Sequence, residues 1–552
     1  MSDQIPSLEM AWGKTASSQT TSHWTTSSQG ASDLTPSNEM TPTISTSDQT
    51  ASGLATTPRI VALPVEIADH IASYLPTPDF SSLRLTCHSM DHLLRESFFR
   101  NCFREKQFDI HDASLQALVD MSGHPKVSQS LEHVALGLEH SRLAFMEFKH
   151  KVPATCNSMQ QLQLFRARQQ RLLGTDHSVA LLTEAFAKLP KLKTISIRDF
   201  STSQYSESPT AAYMGPWDDV QVMHSYGTDA SLQAIGNLLA EMKNVTTNGR
   251  RHRDGLYDYI VGEAFNDVLE SLADANARPD LIEVIIGHPS WALSDLAFFK
   301  PATLRIKNLG PVLHNLKKLH LDLHLYPQVP SHYEDIRQDI RRGAGSVNLS
   351  PFLLWFLSMT PNLEWLRLGL RRSQEHHMEQ LLRWLAADQD PAYGFCFRKF
   401  PQPIKFVHLE HLQIVGAMVP HDVLVGLIHR LSDKLRKLGM KDISITTEYQ
   451  AAEGEEHVWS RFLKFLAIQA NLESFSLEDA GISAHDGSYF HIRGGARYRT
   501  CAWKFHAPSD MKQCLEDLAE VIVLPRMGDS EMEDSEQEDA DDDSEDEDTD
   551  DE

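Results

Sequence analysis

The chain has 552 residues, 41% of them hydrophobic, and a formal net charge of −25 at pH 7. That length exceeds one typical domain and suffices to bury a sizeable core. No uninterrupted apolar run approaches the roughly 20 residues that span a bilayer, and the N-terminus is polar where a signal peptide needs a basic and then an apolar stretch. A cytoplasmic or nuclear chain without a membrane partner is therefore expected. Six cysteines (Cys87, Cys102, Cys156, Cys396, Cys501, Cys514) form no C-x-x-C pair, so reduced thiols are expected rather than a disulfide framework or a zinc site.

Residues 1–57 contain 24 Ser or Thr and few aliphatics, a composition that cannot offset the entropy of ordering, and are expected to form a disordered arm. Leu63-Pro64-Val65-Glu66-Ile67 then opens a helix: Pro64 suits a first turn, and Ile67, Ile71 and Leu75 recur at helical spacing until Pro76 and Pro78 stop it. Asp79 is placed to cap a second helix carrying Phe80, Leu83 and Leu85, and a third runs from about Ser89 toward Phe103. Three helices this short cannot shield a core on both sides, so an apolar face is expected to await a partner or a following domain.

From residue 131 the pattern Leu-x-x-Φ-x-Φ, with Φ apolar, recurs eight times: at Leu131, Leu192, Leu281, Leu316, Leu363, Leu409, Leu435 and Leu472. This is the spacing of a short strand with alternating faces. Most instances follow an amphipathic stretch and a break: 180–189, 352–359, 423–431 and 459–470. Further helices are expected from Asp229 to Met242 and from Val261 to Leu272, while 201–227 carries no clear period. A helix–turn–strand unit buries both its apolar faces only by stacking on its neighbours, the physics of a leucine-rich solenoid, here with uneven spacing.

The string LPVEIADHIASYLPTPDFSSLRLTCHSMDHLL, residues 63–94, resembles an F-box, and WALSDLAFFKPATLRIKNLG with PNLEWLRLGL is similar to fungal F-box proteins that carry divergent leucine-rich repeats. Between the arm (1–57) and a tail (527–552) whose like charges are expected to keep it disordered, the resemblance implies an α/β chain with a three-helix F-box over 59–105 and an irregular leucine-rich-repeat-like solenoid over 106–526. It also implies docking to a Skp-type adaptor and its cullin complex through Leu63, Pro64, Ile67, Ile71, Leu75, Leu83 and Leu85, and hence a substrate-recognition role in an SCF-type ubiquitin ligase. The other reading of the same helices is an amphipathic hairpin filling the solenoid's own core, in a protein-interaction scaffold outside any ligase.

No phosphate cradle, dinucleotide turn, nucleophile elbow or H-E-x-x-H motif occurs, so neither an enzyme nor a cofactor is indicated. His320, Asp322 and His324 share one strand face, which could gather metal ligands, but these are also the positions where a leucine-rich strand places its solvent-facing residues, and no metal is expected. Together with Trp365, Arg367, His411, Gln413, Lys437 and Lys441 they are candidates for a concave surface that recognises an unidentified target protein. Arg250, Arg251 and Arg253 are the only basic cluster in an otherwise acidic chain, so nucleic acid is not an expected partner. Residues 529–552 hold 17 acidic and no basic side chains, and Ser530, Ser535, Ser544 and Thr549 each precede a Glu at +3, as acidophilic kinases accept.

Overall fold

Seven strands begin two residues after a buried leucine (Leu131, Leu192, Leu316, Leu363, Leu409, Leu435 and Leu472), and an eighth begins at Leu281 itself. All eight Leu-x-x-Φ-x-Φ motifs are thus strands. The computed structural model describes residues 63–75, 77–138, 164, 167–168, 171–172, 175–199, 225–226, 254–286, 293–298, 308–325, 351–370, 373, 375–387, 403–447, 457–484, 489–491, 502–506 and 510–522. All of them belong to one compact unit spanning 60–552.

The strands among the described residues are β1 (Glu105–Asp109), β2 (His133–Gly137), β3 (Thr194–Arg198), β4 (Ser225–Tyr226), β5 (Leu281–Ile285), β6 (Leu293–Ser294), β7 (Lys318–His324), β8 (Trp365–Gly369), β9 (His411–Pro420), β10 (Lys437–Thr447), β11 (Ser474–Glu478), β12 (Gly481–Ala484), β13 (Tyr489–His491) and β14 (Ala502–Phe505). They form a mostly parallel sheet in which β1, β2, β3, β5, β7, β8, β9 and β10 lie side by side in chain order, with β11 and β12 both along the far edge of β10. Only β13 and β14 run antiparallel to their neighbours.

One backbone row ties the strand starts together. The carbonyls of Arg104, Glu132, Lys193, Asp280, Lys317, Glu364, Glu410 and Arg436 each accept from two successive N–H groups of the next strand's approach, ending at Glu473 and Ser474. Each strand start is therefore fixed to its neighbour before the ladder begins. The same row alternates in charge over its first six members, with Arg104–Glu132, Lys193–Glu132 and Lys317–Glu364 paired at 3.2, 3.1 and 3.9 Å.

Helices pack on the apolar face of this sheet: α4 (Asp112–Gly123), α5 (Pro125–Ser128), α6 (His177–Ala187), α7 (Asp254–Asp274), α8 (Leu309–His314), α9 (Pro351–Ser358), α10 (Glu375–Ala386), α11 (His421–Leu431), α12 (Val458–Gln469) and α13 (Met511–Val521). Except for the short α5, their buried side chains join the strand leucines and isoleucines in one core. In α7, Ile260, Val261, Ala264, Phe265, Val268, Leu269 and Leu272 are all buried, and Phe265, Phe298 and Phe356 form an aromatic trio with centroids 4.9–5.7 Å apart. The helix stops where Asn276 turns left-handed at φ 51° and the Ala277 N–H bonds back to the Leu272 carbonyl.

Three adjacent kinks keep the longest strands in phase. In β9 the buried side chains change from Leu412 and Ile414 to Ala417 and Val419; in β10 they change from Leu438 and Met440 to Ile443 and Ile445; along β11–β12 they change from Phe475 and Leu477 to Ala480 and Ile482. A side-chain period of two forbids that shift unless one residue is absorbed by a kink. Gly416, Asp442 and Asp479 absorb it, with φ of 68°, 53° and 52°. Gly and Asp are residue types that tolerate this conformation.

Three helices precede the sheet: α1 (Val65–Ser73), α2 (Thr77–Arg84) and α3 (His88–Cys102). Pro64 sits just outside α1 as its N-terminal flank rather than inside the first turn, and α2 starts at Thr77, with Asp79 in its first turn rather than capping it. Two short elements lacked a sequence signal: β1, whose EKQFD has no leucine anchor, and β4, which pairs with β1 inside the span without clear period. The expected arm, the helix from Asp229 to Met242 and the acidic tail with its four Ser/Thr sites lie outside the described residues. No described helix is long and apolar enough to cross a membrane.

Candidate functional site

Helices α1–α3 carry a core of their own, separate from that of the sheet. Ala68, Ala72, Phe80, Met90, Leu94 and Cys102 are buried there, flanked by partly buried Leu75, Leu83, Leu93, Phe98 and Phe103. Small Ala68 and Ala72, one turn apart, let α1 approach α3 closely, and the Asp69–Arg100 pair at 2.8 Å fastens the two helices. Arg84 lies 4.2 Å from the Phe98 ring centroid and bonds Asp91 at 2.9 Å, tying α2 to α3.

Because α1 turns its alanines inward, its larger side chains face out. Ile67 is 48% exposed and Ile71 40%, joined by exposed Val65 and by Tyr74 at the end of the helix, while Leu85, just past the end of α2, is 70% exposed. Pro64 is exposed as well, whereas Leu63, Leu75 and Leu83 are only half-buried. Folding would leave the apolar stripe of Val65, Ile67 and Ile71 on α1 in water only at a cost in solubility. Of the seven residues singled out by sequence, Pro64, Ile67, Ile71 and Leu85 are exposed and Leu63 is half-buried, whereas Leu75 and Leu83 pack against the helices' own core; Val65 and Tyr74 add to the exposed positions of α1. The sheet is fastened elsewhere, through α3: Phe99 stacks on His124 at 5.7 Å and Lys126 reaches Glu96 at 2.6 Å.

The opposite, polar face of the sheet is set by register. One row contains Glu105, His133, Thr194, Leu281, Lys318, Trp365, His411, Lys437 and Ser474; the next contains Gln107, Ala135, Ser196, Glu283, His320, Arg367, Gln413, Gly439 and Ser476. Asp322, His324, His411, Gln413 and Trp365 are half-buried, but His320, Arg367 and Lys441 are buried rather than solvent-facing. Parallel strands about 4.8 Å apart pack these side chains against one another. Asp322 accepts from the Ile286 N–H at 2.9 Å, and Lys441 donates to Glu478 at 2.8 Å.

A hydrogen-bonded chain crosses five strands on this face. Glu105 bonds His133 Nδ1 at 2.7 Å, His133 Nε2 meets the Ser196 hydroxyl, Ser196 donates to Glu283, and Glu283 faces His320 Nδ1 at 3.5 Å. Arg198 donates to Glu283 at 2.9 Å and lies 3.7 Å from Glu105. Carboxylate, histidine and serine stand in the order of a hydrolytic triad. Yet Ser196 is fully buried and its hydroxyl already serves Glu283, which leaves a substrate no approach to the oxygen.

Burial pushes the Glu283 carboxyl up, but the His320 hydrogen bond and the Arg198 charge outweigh it and hold Glu283 below the usual carboxylate range. Burial holds His320 down, and Arg367 and Lys318 add to this against the pull of Glu283. At neutral pH the buried charge pair is therefore Arg198 with Glu283, and His320 is neutral. His411 is pushed down to about 3 first by burial and then by neighbouring cations, Lys437 foremost.

Among the described residues no group of three or more His, Cys, Asp or Glu is placed to hold a metal ion. His320 instead faces Glu283, and Asp322 accepts from the Ile286 N–H. Glu105, His133, Ser196, Arg198 and Glu283 had not stood out in the sequence. Ser196 could have been found by its offset, since it follows its leucine by the same four residues as His320, Arg367 and Gln413. No family model and no curated protein matches the chain.

Proposed function

We propose that this chain is the target-recruiting subunit of an SCF-type ubiquitin ligase, with α1–α3 acting as an F-box that docks on a Skp-type adaptor. The sheet and its helices act as an irregular leucine-rich-repeat-like solenoid that holds the target. The observation that carries the reading is the outward apolar group Ile67, Ile71 and Leu85, left uncovered although the same three helices own a buried core. Exposure there favours docking over the internal-core scaffold, in which these side chains would be covered. Rate enhancement by such a subunit is proximity: it holds the target beside the ubiquitin-carrying enzyme.

Titration of the full chain with purified Skp-type adaptor tests this. Ile67→Asp with Ile71→Asp is expected to weaken binding by more than about 100-fold, because two interface anchors are lost. The thermal unfolding midpoint is expected to stay nearly constant, since both side chains are already about half in water. Absence of adaptor binding by the native chain, or a large drop in its unfolding midpoint on substitution, would favour the scaffold.

A further inference from the structure

The polar face is not uniform in charge. On β1–β5, Glu105 and Glu283 share Arg198; on β7–β10, the first row runs Lys318, Trp365, His411, Lys437, with Arg367 one step along in the second. Trp365 and His411 stack at 4.4 Å with planes only 10° apart, and the Lys318 ammonium lies 5.3 Å from the Trp365 ring centroid. His320 closes the group edge-on to Trp365 at 4.4 Å. Nearby acids are already engaged or at the margin: Glu283 by Arg198, Asp322 by the Ile286 N–H, Glu364 by Lys317, and exposed Glu410 one residue ahead of β9.

Two buried polar atoms in this cluster, Trp365 Nε1 and His320 Nε2, have no hydrogen-bond partner. Neither atom is reachable from solvent, so recognition at this cluster falls to the flanking cations Lys318 and Lys437.

We infer that the Lys318–Lys437 sector of the polar face is a docking site for an acidic peptide segment of the recruited target. The inference rests on the polar face being the target-holding surface. Lys318 and Lys437 pair with carboxylates of the segment, and the Trp365–His411 stack between them supports its backbone. A peptide fits this site better than a nucleic acid, since the sector spans only four strands and the chain as a whole carries −25, which repels a long polyanion.

The test is fluorescence anisotropy of a labelled Asp/Glu-rich peptide, with its Asn/Gln counterpart as control, against the full chain. The acidic peptide is expected to bind and to weaken with added salt, the control to bind at least about tenfold more weakly, and Lys318→Glu with Lys437→Glu to lose at least about tenfold. Tighter binding of the acidic peptide on removal of 529–552 would also support the site, since the chain's own acidic residues would then be competitors. Equal binding of both peptides, an unaffected double variant, or preference for a nucleic-acid oligomer over the peptide would overturn it. Adaptor affinity of the native chain separates the two readings: adaptor binding with no acidic-peptide binding sinks this site alone, and acidic-peptide binding with no adaptor binding sinks the ligase role alone.

Discussion

Replacing Arg198 by Met probes whether the buried charge pair sustains the sheet. The Arg198 side chain is 3% exposed and its guanidinium is 2.9 Å from Glu283, itself 7% exposed. Charge centres at about 4 Å attract by about 4 kcal/mol at an effective dielectric of about 20. Methionine keeps the aliphatic stem but leaves Glu283 with only the imidazoles of His133 at 3.8 Å and His320 at 3.5 Å and the Ser196 hydroxyl. Stability is therefore expected to fall by about 3–5 kcal/mol, the cost of an uncompensated buried carboxylate. Arg198→Met with Glu283→Leu removes both charges and is expected to recover to within about 1.5 kcal/mol of the native chain. Urea unfolding followed by circular dichroism reads all three proteins. Without Arg198 the buried carboxyl has a raised folded-state pKa, so protonation supports the fold below that pKa and the deficit shrinks toward about pH 5. A deficit below about 1 kcal/mol, a double variant as unstable as the single, or a deficit indifferent to pH would refute the reasoning.

Gly369→Ala should also destabilise, because its Cβ would stand 2.1 Å from Asp322 Oδ1 while Asp322 Oδ2 accepts from the Ile286 N–H. The expected loss is about 2 kcal/mol by urea unfolding, partly recovered in Gly369→Ala with Asp322→Ala, and unchanged stability would contradict the close approach. Mild acid should weaken the native chain before its carboxylates titrate. Burial holds His411 at about 3 and His457 at about 4, so the folded chain binds fewer protons than the unfolded one below about pH 6.5, and stability is lost as pH falls from there. His457 also caps α12 by accepting from the Trp459 N–H at 3.2 Å, a bond its protonated ring cannot accept. The unfolding midpoint measured from about pH 7 to 5 should fall, and fall less in His411→Gln; a flat profile would refute the assignment.

Leucine spacing made the eight principal strands legible, because a residue anchored before each strand and a period of two decide which face is apolar whatever the neighbours are. Pro64, Ile67 and Ile71 likewise marked α1 and its outer stripe. Helix α10 carried a readable stripe of Met378, Leu381, Leu382 and Leu385 that the strand-centred reading passed over. The kinks at Gly416, Asp442 and Asp479 were less accessible, since a phase shift is visible only once strand limits are known. What the tertiary structure alone decided is the company each polar side chain keeps. Period two assigns Ser196, Glu283 and His320 to one face, but parallel pairing brings Ser196 beside Glu283 across 87 residues of chain. That register is set by backbone bonds and helix packing along the whole intervening segment, so the burial of His320 and Arg367 is a property of the assembled sheet and of no local stretch.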